Sequence, residues 1–278
     1  MRPLATSTLA LATLLLGAST LAAQESRNSE SDAEWLDQCR NGRFGSRWDG
    51  GHACEVREVP VRRGVRSLAV DGSAFGGVSV TAWDRDSVHV SARIQTMASS
   101  DAEAQRRLGD VHVAMEGGTI RATGPRGDAD EPRWVVSYDV WVPRHMDLDL
   151  RTRNGGVRVS EVSGRMTLET ENGGLALHGV GGDVHARAQN GGLSVRLTGA
   201  RWEGAGLDAE TENGGVRLVV PERYSARLTT GTVNGRMRTD FPITVSGNLS
   251  RQFTLTLGSG GAPVRATTTN GGVIIERE

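Results

Sequence analysis

Two pairs of carboxylates, Glu169 with Glu171 and Glu210 with Glu212, stand two residues apart. On a strand such residues share a face, and paired carboxylates are the groups that glycoside hydrolysis uses. That chemistry needs the two acids opposed across a bound sugar, one with a raised pKa. Here each pair also falls in columns that alternate with Arg, so an ion-pair role is the stronger reading. The six histidines, His52, His89, His112, His145, His178 and His185, show neither H-x-H nor H-x-x-x-H spacing, so no metal site is expected from them. There is no G-x-S-x-G elbow. The run Gly179 to Gly182 lacks the Lys and following helix of a phosphate loop. No catalytic residue, metal or cofactor is expected.

Cys39 and Cys54 are the only cysteines and lie 15 residues apart. In an oxidising compartment such a pair closes a disulfide, worth about 3 kcal/mol for a loop of that size. The compartment is indicated by the first 23 residues: Arg2, an apolar run from Leu9 to Leu16, and small residues up to Ala23. That is the build of a cleavable signal peptide, the run being too short to span a bilayer. No Cys follows the expected cut, so a lipid anchor is not expected, and the mature chain is placed in the periplasm or outside the cell.

The formal net charge of −1 favours neither nucleic acid nor an acidic membrane as partner. All basic residues are Arg, and the 37 glycines with 4% aromatics point toward many turns rather than a helix bundle.

The elements that would position these groups announce themselves as a repeat. T-E-N-G-G occurs at Thr170 and again at Thr211, with looser copies around them. Asn154, Asn172 and Asn190 are 18 residues apart, and the following gaps, to Asn213, Asn234 and Asn270, are 23, 21 and 36. A fixed period of this size is the mark of a solenoid. Two alternating runs and two turns make one coil; two coils carry small insertions, and the last gap equals two periods. Three residues after each Asn stand Val157, Leu175, Leu193, Val216, Met237 and Val273; these are expected as a core column. Two residues before each Asn stand Thr152, Thr170, Ala188, Thr211, Thr232 and Thr268, a threonine ladder suited to strands. Three before, the series Arg151, Glu169, Arg187, Glu210 alternates in sign. Parallel, in-register coils would set opposite charges side by side, favourable by a few tenths of a kcal/mol each.

The Asn-Gly-Gly corner is read as a tight turn, because Asn and Gly tolerate positive φ, with Asn side chains bonded from coil to coil. A calcium ladder would need Asp at a fixed offset in every turn, and Asp147, Asp149, Asp183, Asp208 and Asp240 share none.

Upstream, Gln24 to Asp37 is polar and acidic and reads as a mobile leader, followed by a small disulfide-stapled cap. Alternating strands run from Val61 to Val142, interrupted by one short helix capped by Ser99 or Ser100 and ended at Gly109. Trp83 and Trp141 alternate with valines and are read as packing locally. Trp202 lies in the longer interval between Asn190 and Asn213 and is the candidate ligand contact, an aromatic ring able to stack on a sugar.

Gly77 to Asp86 (G-V-S-V-T-A-W-D-R-D), Val140 to Pro143 (V-W-V-P) leading into Leu150 to Gly155 (L-R-T-R-N-G), the N-G-G repeats and Thr268 to Ile275 (T-T-N-G-G-V-I-I) together resemble the DUF4097 family. The resemblance covers about Val59 to Glu278 and leaves the cysteine pair outside. It implies a secreted β-strand-repeat protein, a single-chain parallel β-solenoid at the cell envelope, of a kind labelled as candidate adhesins. It carries over no catalytic residue.

The expected organisation is a signal peptide over 1–23, a polar leader and disulfide-stapled cap over 24–58, a β-strand region over 59–145 read as the first coils or a sandwich-like unit, with continuity favoured, and an all-β parallel solenoid of about 18-residue coils over 146–278. The expected role is a non-enzymatic binding or scaffolding element, its contact surface the Arg- and Glu-patterned strand faces, its partner a polysaccharide or protein. The alternatives are a polysaccharide lyase or hydrolase, marked by Asp147 or Asp149 converging on Asp183, and a structural protein that self-associates end to end.

Overall fold

A computed structural model describes residues 31–41, 50–72, 75–125, 133–241 and 252–278. The segment read as a signal peptide, and the leader up to residue 30, lie outside the described residues.

The N-terminal part comprises α1 (Asp32–Arg40), β1 (Gly51–Glu58), β2 (Ser67–Asp71), β3 (Val78–Trp83), β4 (His89–Ala98), α2 (Asp101–Asp110), β5 (His112–Glu116), β6 (Thr119–Thr123) and β7 (Trp134–Pro143). The repeat part consists of β8 (Asp147–Asn154), β9 (Val157–Ser160), β10 (Ser163–Asn172), β11 (Leu175–His178), β12 (Gly181–Asn190), β13 (Leu193–Arg196), β14 (Gly206–Asn213), β15 (Val216–Val220), β16 (Ala226–Asn234), β17 (Met237–Thr239), β18 (Gln252–Leu257), β19 (Pro263–Asn270) and β20 (Val273–Arg277).

The strands form two sheets of ten, neither closed into a barrel. The first has the order β1-β4-β7-β3-β9-β11-β13-β15-β20-β17, the second β18-β16-β19-β14-β12-β10-β8-β2-β6-β5. Through the repeats the chain alternates between them, and from β8 to β15 each repeat strand pairs in parallel with its neighbours. Both sheets run without a break into the N-terminal strands, through β2 beside β8 and β3 beside β9. The antiparallel pairs lie toward the ends: β1 with β4, β4 with β7, β5 with β6, and β16 with β18.

The core lies between the sheets. Val157, Leu175, Leu193, Val216 and Val273 are buried on the first, and Leu150, Leu168, Ala186, Ala209, Ala266 and Thr230 face them from the second. Each fully buried Val or Leu side chain contributes roughly 1.5–3 kcal/mol. Met237, in the terminal strand β17, is only partly buried.

Chain order is not stacking order. The last strand pair does not follow the pair of Asn234 but inserts before it: β19 lies between β14 and β16, and β20 between β15 and β17. The 36-residue gap therefore encloses the antiparallel strand β18, which covers β16, before the chain returns to the layer between. The insertion preserves register, with Asn213, Asn270 and Asn234 in one row.

The corner also differs in its physical cause. None of its described Asn or Gly residues has positive φ. The first Gly is demanded by close approach instead. A Cβ on Gly173 would stand 2.3 Å from the Gly155 carbonyl oxygen, and Gly191, Gly214 and Gly271 repeat the contact with the preceding coil's glycine at 2.0–2.1 Å. Positive φ appears at the opposite corner, at Glu161 (60°) and, one coil on, Gly179 (59°).

Residues 32–37, read as leader, are helical. Ser31 and Glu34 form a capping box, Ser31 Oγ accepting from Glu34 N–H and the Glu34 carboxylate accepting from Ser31 N–H at 3.0 Å. The helix is tied to β1 by the Cys39–Cys54 disulfide, with Cα atoms 6.3 Å apart. β1 itself is the edge strand of the first sheet. The second helix, α2, is capped by Ser100 as its sequence indicates. No helix among the described residues is long and apolar enough to cross a membrane.

Candidate functional site

The Asn residues form the ladder that their spacing suggests. Asn172 Nδ2 donates to Asn154 Oδ1 at 3.0 Å, Asn190 to Asn172 at 3.0 Å, Asn213 to Asn190 at 3.0 Å, Asn270 to Asn213 at 2.8 Å and Asn234 to Asn270 at 2.7 Å. Each amide is consumed as donor or acceptor by its neighbours, so the row is a structural spine. The threonines beside it have a role their strand propensity did not reveal. Thr170 donates its hydroxyl to Gly155 O, Thr211 to Gly191 O, Thr268 to Gly214 O and Thr232 to Gly271 O, at 2.6–2.9 Å. These are the carbonyls that turn in toward the next coil.

The outer face of the second sheet carries the charged columns. Register sets Glu169 between Arg151 and Arg187, and Arg187 beside Glu210. Arg153 meets Glu171 at 3.1 Å, Arg187 meets Glu210 at 3.0 Å, and Arg151 lies 3.8 Å from Glu169. Arg265, brought in by the inserted strand, contacts both Asp208 and Glu210. These columns line a groove of about 810 Å³, but their charges largely neutralise one another. Asp147 and Asp183 share a column with Arg165 between them. They are thus two strand spacings, roughly 10 Å, apart, and the Asp147 carboxylate accepts from Arg165 N–H at 2.8 Å. Among the described residues no three metal-ligating side chains converge.

Trp202 does not face solvent. It is 5% exposed within the core, and its Nε1 donates to Gly182 O at 3.0 Å. The longer interval it occupies turns the indole inward. It cannot stack on a ligand in this conformation.

The outer face of the first sheet is different. At its N-terminal end α1 is docked by Arg93, whose side chain is 10% exposed between Asp32 at 2.9 Å and Asp139 at 3.0 Å. Trp35 lies over the guanidinium at 5.9 Å, and Ser91 Oγ donates to Asp32. From this buttress a trough of about 1120 Å³ runs across the strands to Ile274. Its floor is the second glycine of each corner, Gly156, Gly174, Gly192, Gly215 and Gly272, with the small side chains of Ser79, Ala176 and Ser194 beside them. Arg158 stands in this lane without an ion pair among the described residues, whereas Arg217 is held by Glu276 at 2.7 Å.

Beside the trough lies an aromatic group. His89 on β4 is the register partner of Trp141 on β7, and Trp83 ends β3 on the other side. The ring centroids of His89 and Trp141 are 5.1 Å apart, those of Trp83 and His89 6.1 Å. The three side chains are half-buried. Arg85 covers one face of Trp83 at 4.7 Å, and Trp83 Nε1 is spent on Ser87 O at 2.7 Å. Trp141 Nε1 has no acceptor among the described residues. Trp141 is two residues from Asp139 on the trough rim, about 7 Å along the strand. Period-two alternation with valines puts Trp141 on the outward face, a signal legible in the sequence; that its neighbours there would also be aromatic depends on strand order.

Strongly shifted ionisable groups lie in the core instead. Burial raises the Tyr138 phenol above its ordinary range and pushes Tyr224 up to about 12. The geometry defines an all-β protein of two ten-stranded sheets, neither closed into a barrel. Residues 59–276 match the Toastrack DUF4097 family, and the chain belongs to that family.

No curated protein matches the chain. Among solved structures it is similar to a candidate cell adhesion protein from Clostridium sporogenes, at 10% identity and a TM-score of 0.46, over 82% of this chain and 100% of that one. It is also similar to a candidate adhesin from Bacteroides fragilis, at 9% identity and a TM-score of 0.40, over 81% and 97% of the two chains. A third, a candidate lipid binding protein from Parabacteroides distasonis, matches at 12% identity and a TM-score of 0.33, over 82% and 98%.

Proposed function

We propose that this chain is a non-enzymatic β-solenoid of the periplasm or cell exterior, closed at its N-terminal end by the disulfide-tethered α1, which binds an extended envelope polysaccharide along the outer face of its first sheet. Alternation of parallel, in-register strands between two sheets supports the solenoid. The disulfide and the signal-like first 23 residues support the compartment.

The observation that carries the binding reading is the aromatic group beside the trough. Trp141 offers a partly exposed indole whose N–H has no acceptor among the described residues. An indole face packs against the C–H surface of a sugar ring while its N–H takes a hydroxyl. Beyond it, the repeated lane of glycine and small side chains admits a polymer whose own residues repeat, and Arg158 adds a free donor fork for a hydroxyl or carboxylate. The second sheet is the weaker candidate, because its Arg and Glu columns satisfy each other.

The test is size-exclusion chromatography of the purified protein with a panel of envelope and plant polysaccharides, detecting protein and sugar separately. Co-elution that is lost in Trp141→Ala and retained in Glu171→Gln supports the assignment. Co-elution lost in neither moves the site elsewhere, and a polymer that shortens with time overturns the non-enzymatic reading. Concentration-dependent elongation without sugar would favour the self-associating alternative.

A further inference from the structure

The Asn ladder ends at Asn234, in a corner that is exposed. Four of its six Asn-Gly bonds are locked from the following coil: Gly173 N–H donates to Asn190 O at 3.0 Å, Gly191 to Asn213 O at 2.9 Å, Gly214 to Asn270 O at 2.9 Å and Gly271 to Asn234 O at 3.1 Å. The corner of Asn234 and Gly235 comes last, because the inserted C-terminal coil displaced it to the end of the row. Asn234 Nδ2 donates inward to Asn270, but among the described residues nothing accepts from Gly235 N–H and nothing donates to Asn234 Oδ1. Val233, Asn234, Gly235 and Arg236 are all exposed, and β17, the next element, is a three-residue edge strand.

We propose that Asn234 is a site of spontaneous modification, at which the Asn-Gly bond rearranges through a cyclic imide to aspartate and isoaspartate, while the same dipeptide inside the ladder is protected. The Gly235 amide nitrogen attacks Asn234 Cγ and forms the imide C–N bond. The bond from Cγ to Nδ2 breaks, and Nδ2 leaves as ammonia with the proton released by Gly235. Solvent water then opens either imide carbonyl, giving aspartate or isoaspartate. Glycine permits the attack because it places no side chain beside the nucleophile.

In the interior coils the attacking nitrogen must first surrender its bond to the next Asn carbonyl and swing out of a paired strand, which requires local opening of the stack. At Gly235 no such bond has to be broken among the described residues. The product matters locally. A carboxylate at 234 cannot donate to Asn270 Oδ1, and isoaspartate lengthens the backbone between β16 and β17, so the terminal layer loosens first.

The test is peptide mapping by mass spectrometry after incubation of the full chain in mildly alkaline buffer, with isoaspartate assayed separately. Conversion at Asn234 is expected to exceed that at Asn172, Asn190, Asn213 and Asn270 on the order of tenfold or more, the scale set by local opening of a stacked strand. In chain unfolded by urea the five sites should convert at similar rates. Equal rates in the folded protein, or protection at Asn234, would overturn the assignment. So would a preference for Asn234 that persists in urea, since it would then reflect local sequence and not the end of the ladder.

Discussion

The hydroxyl of Thr211 donates to the carbonyl oxygen of Gly191, one coil back, at 2.6 Å. The same bond recurs at Thr170, Thr268 and Thr232, and the column is interrupted at Ala188. By register Ala188 stands between Thr170 and Thr211, where a hydroxyl would reach Gly173 O. Ala188→Thr is therefore expected to stabilise the protein by about 0.5–1 kcal/mol, the net value of a satisfied hydrogen bond. Chemical denaturation with an unchanged m-value would show it.

The two glycines of a corner should respond differently to the same substitution. A Cβ at Gly191 would meet Gly173 O at 2.0 Å and the backbone beyond it, whereas one at Gly192 meets Gly215 O at 3.5 Å, an ordinary contact. Neither residue has positive φ, so space alone separates them. Gly191→Ala is expected to cost about 3 kcal/mol, as backbone cannot yield as a side chain does, and Gly192→Ala to stay within about 0.5 kcal/mol. Thermal melts of both variants side by side would decide it; equal costs would mean that conformation, not contact, selects the glycines.

Reduction of the disulfide should release one element and leave the sheets. The helix α1 packs on β1 and is held by Cys39–Cys54, by Asp32 on Arg93 and by Trp35. The tether is worth about 3 kcal/mol for its loop. After treatment with a dithiol, hydrogen exchange is expected to quicken in α1 while β10 and β12 keep their protection. Simultaneous loss in both would place the disulfide at the centre of folding rather than at its edge.

Acid should act first near α2. Arg57 Nε and Nη2 donate to the Glu55 carboxylate at 2.8 and 2.6 Å, and Arg57 also donates to Leu108 O in the last turn of α2 at 2.8 Å and to Val111 O just beyond it. The hydrogen bonds from Arg57 hold Glu55 below the usual carboxylate range. A depressed folded-state pKa gives stability that is present above the unfolded value of about 4.3 and is lost as pH falls through the lower folded value. Glu55→Gln should flatten the stability profile in that acid window and leave it unchanged near neutrality apart from a constant offset. An unaltered acid limb would mean that the pair contributes nothing net, as exposed pairs often do.

Legibility varied with the range of the interaction. The strand columns, the alternating charges and the Ser100 cap rest on neighbours a few residues or one period apart, and all appear in the structure at those offsets. The capping box at Ser31 and Glu34 was equally local, yet acidic composition masked it as leader. Trp202, expected as an exposed ligand contact, is buried instead, because burial of an indole depends on which strands flank it and not on its own segment.

By itself the chain determined its strand period, its register and its corners: period-two alternation chooses a face, and an 18-residue interval brings like residues into line. Only the tertiary structure decided the order of the layers: that the last strand pair fills a place between those of Asn213 and Asn234, and hence that Asn234 ends the row. The physical reason is that coils with the same columns are nearly interchangeable as neighbours. Local pattern is satisfied by either stacking order, and the choice rests on contacts 36 and 57 residues distant in the chain, such as Asn234 with Asn270 and Asn270 with Asn213.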